Sequence, residues 1–301
     1  MLDIVASSFT QGVVWSVMAI GVYITFRLLD IADLSAEGVF PFGAAICASL
    51  IDSGINPYLA TLAAVAGGML AGWLAGVIHT KLKIPALLTG ILLLTALYSI
   101  NIHVMTGRPN ISLLGKDTIY SGLQAATGWS KNAAIAVVAL VVVLLCILVL
   151  VTFLNTEIGL GLRATGDNPA MSAANGINTD RMKTLGYMIG NGLIALAGAM
   201  VAQKDGFSDI GMGIGTIVIG LASIIVCEVI LPDKTLGIRL SSIILGSFIY
   251  RLIIDTILNQ TIISIRATDL RLFSAILLTL VLYLPELQKR NVGRRKRVKG
   301  A

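Results

Sequence analysis

Apolar runs separated by short polar stretches fill the chain, at residues 4–26, 36–51, 57–78, 84–103, 132–154, 185–203, 212–231, 238–258 and 268–285. Most approach the roughly 20 residues that a helix needs to cross the hydrocarbon core of a bilayer. The pattern predicts an all-α integral membrane protein, a polytopic bundle of about 8–9 transmembrane helices. The second run is short and carries Pro41 and Gly43, which predicts a broken or re-entrant segment. Such interruptions are tolerated in a membrane only where protein or a water-filled cavity covers the freed backbone. Glu37 and Pro41 are therefore candidates for a translocation path.

Composition agrees with this class. Charged residues make up 13% of the 301 positions and hydrophobic ones 56%, against about 25% charged in soluble domains. Such a surface has little to offer water, and the length suits one membrane domain over 1–288 followed by a basic tail over 289–301. Residues 1–12 show no basic region and no cleavage site follows, so the first span is expected to act as its own insertion signal. The net charge of +6 is concentrated in that tail: after Glu286 come Lys289, Arg290, Arg294, Arg295, Lys296, Arg297 and Lys299 with no acid. A cytoplasmic anchor against anionic lipid is the expected role, rather than nucleic-acid binding.

Fixing the tail inside by the positive-inside rule sets the rest. Residues 155–184, 232–237 and the turn at 79–83 fall in the cytoplasm; 104–131 and 259–267 fall outside. The inner segments collect Lys81, Lys83, Arg163, Arg181, Lys183, Lys234 and Arg239. The N-terminus is external if residues 36–51 cross fully and internal if they do not.

The loop at 155–184 contains "GLGLRATGDNPAMSAANGIN", residues 159–178. Asn168 followed by Pro169 is a helix start, an N-cap and then a proline at the first helical position. The alanine-rich stretch 169–175 ends at Gly176, a suitable C-terminal stop. Met171, Ala174 and Ile177 are spaced to share one face. A short helix held between two spans buries little by itself and needs a surface to sit on.

Catalytic and metal chemistry find no support. Cys47, Cys146 and Cys227 lie in apolar runs without paired spacing and read as small buried hydrophobes. His79 and His103 are far apart near span ends, which argues against an enzyme. "GMGIG" at 211–215 follows no strand, and "LLGKDT" at 113–118 lacks the upstream glycine of a phosphate loop, so no cofactor is expected. Gly68, Gly72 and Gly76, like Gly186 and Gly190, are spaced for close helix packing, within one subunit or between two. Arg251 and Asp255, four apart, predict a self-neutralising pair on one helix face, or a pair that exchanges with a zwitterionic solute.

Residues 159–200 resemble the cytoplasmic loop and following helix of permeases of branched-chain amino acid-type ABC importers. Gly159, Arg163, Ala164, Asn168, Ala173 or Ala174, Gly176, Ile177 and Asn178 match the family pattern. "DLSAEGVFPFGAA" at 33–45 is similar to its N-terminal segment, although Asp33, Leu34, Ser35 and Gly38 depart from the asparagine–alanine–histidine–glycine version. The resemblance covers nearly the whole chain. It implies a subunit of the bacterial inner membrane whose 155–184 loop forms a coupling helix on a separate ATP-binding subunit. Arg163, Asp167, Asn168, Pro169, Met171, Ala173, Gly176 and Asn178 would serve that coupling. It further implies a second permease copy or paralogue, an extracytoplasmic solute-binding protein, and a small organic solute, most simply a hydrophobic or aromatic amino acid. The rival reading is an ion-coupled secondary transporter, which would show paired broken helices and charges at the membrane midplane.

Overall fold

The computed structural model describes residues 2–231 and 235–258, with residues 272, 273, 275, 276, 279 and 283. The basic tail and most of the run at 268–285 lie outside the described residues. The chain forms α1 (Leu2–Val22) with a π-helical extension (Tyr23–Leu28), α2 (Ala36–Asp52), α3 (Pro57–Lys81) and α4 (Ala86–Val104). Then follow β1 (Asn110–Ser112), α5 (Ser121–Thr127), α6 (Lys131–Leu154), α7 (Glu157–Asp167), α8 (Pro169–Ala174) and α9 (Thr179–Asp205). The last elements are β2 (Phe207–Asp209), a 3-10 turn (Ile210–Gly213), α10 (Thr216–Ile230) and α11 (Leu236–Leu258). Among the described residues, 7 helical segments are long and apolar enough to cross a membrane. A multi-pass, all-α membrane protein is the result.

Local chemistry starts and stops these helices. Asn56 accepts a hydrogen bond from Tyr58 N, and Pro57 occupies the first position of α3. Ser130 caps α6 through Ala133 N, and Asn178 caps α9 through Arg181 N. α9 ends at Gly206, whose φ of +81° is left-handed and costs a glycine little.

α9 is the central post. Gly68, Gly72 and Gly76 of α3 face it so closely that an added Cβ would strike Asn191, the Tyr187 carbonyl and Thr184 respectively. Gly190 of α9 takes α1 at Gly21, and Gly198 takes α2 at the Phe40 carbonyl. Both predicted glycine faces therefore pack helices within one chain. With lipid as solvent on both sides, such close backbone approach replaces the hydrophobic effect as the source of association. α6, by contrast, exposes Val141, Leu144, Leu145 and Leu148, as a lipid-facing helix should.

At one end of the bundle β1 pairs antiparallel with β2, Ile111 opposite Ser208. This strand end also holds the C-terminus of α2, where Asp52 pairs with Lys116 at 3.2 Å. Gln203 of α9 closes it by accepting from Ile119 N at 2.9 Å and donating to Thr61 Oγ1 at 2.9 Å. At the opposite end Arg27 pairs with Glu228 at 2.7 Å, and α7 packs on α9 and the π-helical extension.

The break in the second run is not where the sequence pattern places it. α2 is one helix through Pro41. A proline in a second turn removes one N–H and leaves only the Glu37 carbonyl without its helical donor. The interruption falls earlier, over residues 29–35, where Asp30 has a φ of +54°. There the chain runs beside α9, and α2 begins next to Asn191, near the middle of α9. A second break, unforeseen, splits the run at 212–231: a 3-10 turn, then Gly215 at φ +81°, then α10. This second break lies against the first turns of α2, because Gly213 packs on the Glu37 carbonyl and Pro41.

Candidate functional site

Two regions hold residues singled out from the sequence, one at the end opposite the strands and one beside the second break. In the first, Thr156 Oγ1 caps α7 by accepting from Gly159 N at 3.3 Å. Gly159 lies against the backbone of Phe153 and Leu154, and Gly166 against the Leu28 carbonyl. Leu162 is fully buried between them. α7 was not anticipated: its three glycines each lower helix propensity by about 1 kcal/mol, and at Gly159 and Gly166 the backbone approaches its neighbours too closely for a Cβ.

α8 follows as the sequence predicts. Asn168 Oδ1 accepts from Met171 N at 2.9 Å, Pro169 stands at the first position, and Gly176 takes a φ of +83°. Ser172 points inward, while Met171 is 64% exposed and Ala173 is also exposed. Ile158 and Leu160 on α7 are likewise more than half exposed. Arg163 is half-buried on α7, Asp167 ends that helix in the open, and Asn178 caps α9. The eight residues singled out in this loop thus form one compact knob with an apolar tip.

The second region is a cavity of about 430 Å³ between α2, α4 and the turn after β2. It joins Glu37 and Pro41 to Asn101 and Tyr98 of α4 and to Asp209 and Ile214. Glu37 Oε1 accepts from Gly215 N at 3.0 Å and so pins the second break to the first turn of α2. Asp209 Oδ1 accepts from Gly211 N at 2.7 Å. Arg251 and Asp255 do not reach this cavity. Arg251 lies 4.6 Å over the Trp15 ring, and Trp15 stacks on Phe40. Asp255 accepts from Ser8 Oγ at 2.6 Å, so each residue binds α11 to α1.

A buried carboxylate went unassigned by sequence pattern. Asp33, in the first break, accepts from Ser35 N at 2.9 Å and from Asn191 Nδ2 at 2.8 Å. These donors satisfy a carboxyl group that would otherwise be costly inside a bundle. Its main partner is 158 positions away, beyond the reach of local reading. Among the described residues no cluster of three or more His, Cys, Asp or Glu side chains is placed to hold a metal ion.

A multi-pass bundle with a protruding loop helix and a cavity between its helices has the build of a membrane transport subunit. The chain belongs to the family described as branched-chain amino acid transport system / permease component, which matches residues 4–284. It is 42% identical over 274 residues to a tyrosine transport system permease protein of Clostridioides difficile, covering 91% of this chain and 88% of that one. It is 24% identical over 248 residues to the ribose import permease RbsC of Haemophilus influenzae, covering 81% and 76%. No solved structure matches the chain. Members of this family are transport components rather than enzymes.

Proposed function

We propose that the chain is the membrane-spanning subunit of an ATP-driven importer in a bacterial inner membrane, and that it carries an aromatic amino acid such as tyrosine. The observation that carries the ATP-driven part is α8: a capped, rigid helix that presents Met171 and Ala173 away from the bundle. Exposed apolar residues on a polar loop mark a protein-binding surface, and an ATP-binding subunit closing on its partner supplies the movement. α7, wedged against Leu28 and α9, passes that movement into α1 and the central post. The C. difficile relative supports the solute class. A second permease copy and an extracytoplasmic binding protein complete the assembly in this reading.

Broken helices also occur in ion-coupled transporters, and that second reading draws its support from Asp33 in the first break and Glu37 against the second. It gives α8 nothing to do, and family membership favours the importer.

Orientation gives a direct test. With Cys47, Cys146 and Cys227 replaced by serine, a membrane-impermeant maleimide added to intact cells should label Leu114→Cys, an 83% exposed position at the strand end. It should leave Asn175→Cys, beside α8, unlabelled until the membrane is opened. Labelling of Asn175→Cys in sealed cells would place the knob outside and remove the ATP-driven mechanism.

A further inference from the structure

We infer that the groove between the end of α3 and the start of α9 binds one anionic phospholipid, with its phosphate on Lys81 and Arg181 and an acyl chain along the apolar walls below. The inference needs only that both helices cross the bilayer, and it stands apart from what drives transport.

The groove follows from the glycine seam. α3 and α9 run antiparallel there, with Gly72 against the Tyr187 carbonyl and Gly76 against Thr184. Backbones drawn that close leave the larger side chains standing beside the seam as two walls. Trp73 and Val77 form one wall and Leu185 and Met188 the other, around a space of about 310 Å³. Thr80 and Thr184 also line it, but each donates its hydroxyl to its own helix. Thr80 bonds the Gly76 carbonyl at 2.7 Å and Thr184 the Asp180 carbonyl at 2.9 Å. Below its rim the groove therefore suits hydrocarbon, and Trp73 is 47% exposed along it.

The rim is basic. Lys81 ends α3 and Arg181 lies in the first turn of α9, both exposed. Asp180 shares the rim, and Lys83 meets its carboxylate at 3.6 Å. Residues 79–83 and 179–184 together hold four lysines or arginines against that one acid. Such clusters at the end of a span attract anionic headgroups. Eight residues separate Trp73 from Lys81, a rise of about 12 Å along a helix, so charge and hydrocarbon wall are spaced as headgroup and acyl chain are. A soluble anion would use the rim and leave the walls bare, and a lipid without net charge would do the reverse.

Fluorescence quenching tests this in the full chain, reconstituted in phosphatidylcholine vesicles. Phosphatidylcholine or phosphatidylglycerol with brominated acyl chains replaces a rising fraction of the lipid, and the Trp73 signal is the difference between the unaltered chain and Trp73→Phe. Brominated phosphatidylglycerol should half-quench that signal at a mole fraction about fivefold or more below that of brominated phosphatidylcholine, the preference that one cation near an anionic headgroup supplies. Lys81→Gln with Arg181→Gln should remove the preference, and salt at about 0.5 M should shrink it. Equal half-quenching by the two lipids in the unaltered chain overturns the assignment, and that comparison stands even where the double variant misfolds. A preference that survives in the double variant overturns it as well. Displacement of phosphatidylglycerol by soluble glycerol phosphate would reduce the groove to a phosphate site. Absent quenching by either lipid would place protein, such as a second copy, in the groove. Loss of the preference on adding the ATP-binding subunits would give the rim to them. Each of these three results ends the lipid assignment.

Discussion

Exchanging Pro169 and Ala173 for glycine together with Arg163→Glu is expected to cut ATP-driven uptake by about tenfold or more, while the protein still inserts in the membrane. α8 has only 6 residues and cannot sustain itself by propensity. A glycine within a helix costs about 1 kcal/mol, and losing a proline at a compatible position adds roughly 0.4–1 kcal/mol through the unfolded chain. Together these remove about tenfold or more from the population of the folded knob. Arg163 makes no ion pair among the described residues, so its reversal spares the bundle and disturbs the rim that meets a partner. Co-purification of the ATP-binding subunits should fall with uptake. Full uptake and full co-purification in the triple variant would reduce the loop to a connector.

Gly72→Leu should have the larger effect on folding. Any Cβ at this position meets the Tyr187 carbonyl and the Met188 Cα, which are backbone atoms of the central helix and cannot rotate away. Overpacking commonly costs about 1–3 kcal/mol, and here α3 must move off α9 along its length. The detergent-solubilised protein should lose its monodisperse elution and melt at lower temperature. Leu70→Ala, two positions earlier and 63% exposed, supplies the lipid-facing control and should elute normally. Normal elution and melting of Gly72→Leu would show that the α3–α9 seam is not the core of the fold.

Much of this was legible in sequence because the signals are local or periodic. Run length located the spans, the Asn168–Pro169 pair located α8, and four-residue glycine spacing located the faces that close on α9. The failures share a physical cause. Pro41 reads as a breaker, yet in a second turn it frees a single carbonyl, which Gly213 then meets from a distant segment. The true break at 29–35 is held by Asp33 and Asn191, whose bond spans most of the chain. α7 was hidden by glycines chosen for contact rather than propensity. Arg251 and Asp255 each also reach α1, since helix spacing alone does not say which other neighbours are near. Of the cavity, only Glu37 and Pro41 could be named, because its other walls come from α4 and the turn after β2.

The central claim is that ATP hydrolysis in a separate subunit drives solute through this chain. Tyrosine uptake into proteoliposomes tests it most directly, with the permease reconstituted alone or with its ATP-binding subunits and solute-binding protein. Uptake should require ATP, both partners and an intact 155–184 loop, and should persist when sodium and proton gradients are collapsed. Uptake by the permease alone under an imposed ion gradient, indifferent to ATP, would contradict the account.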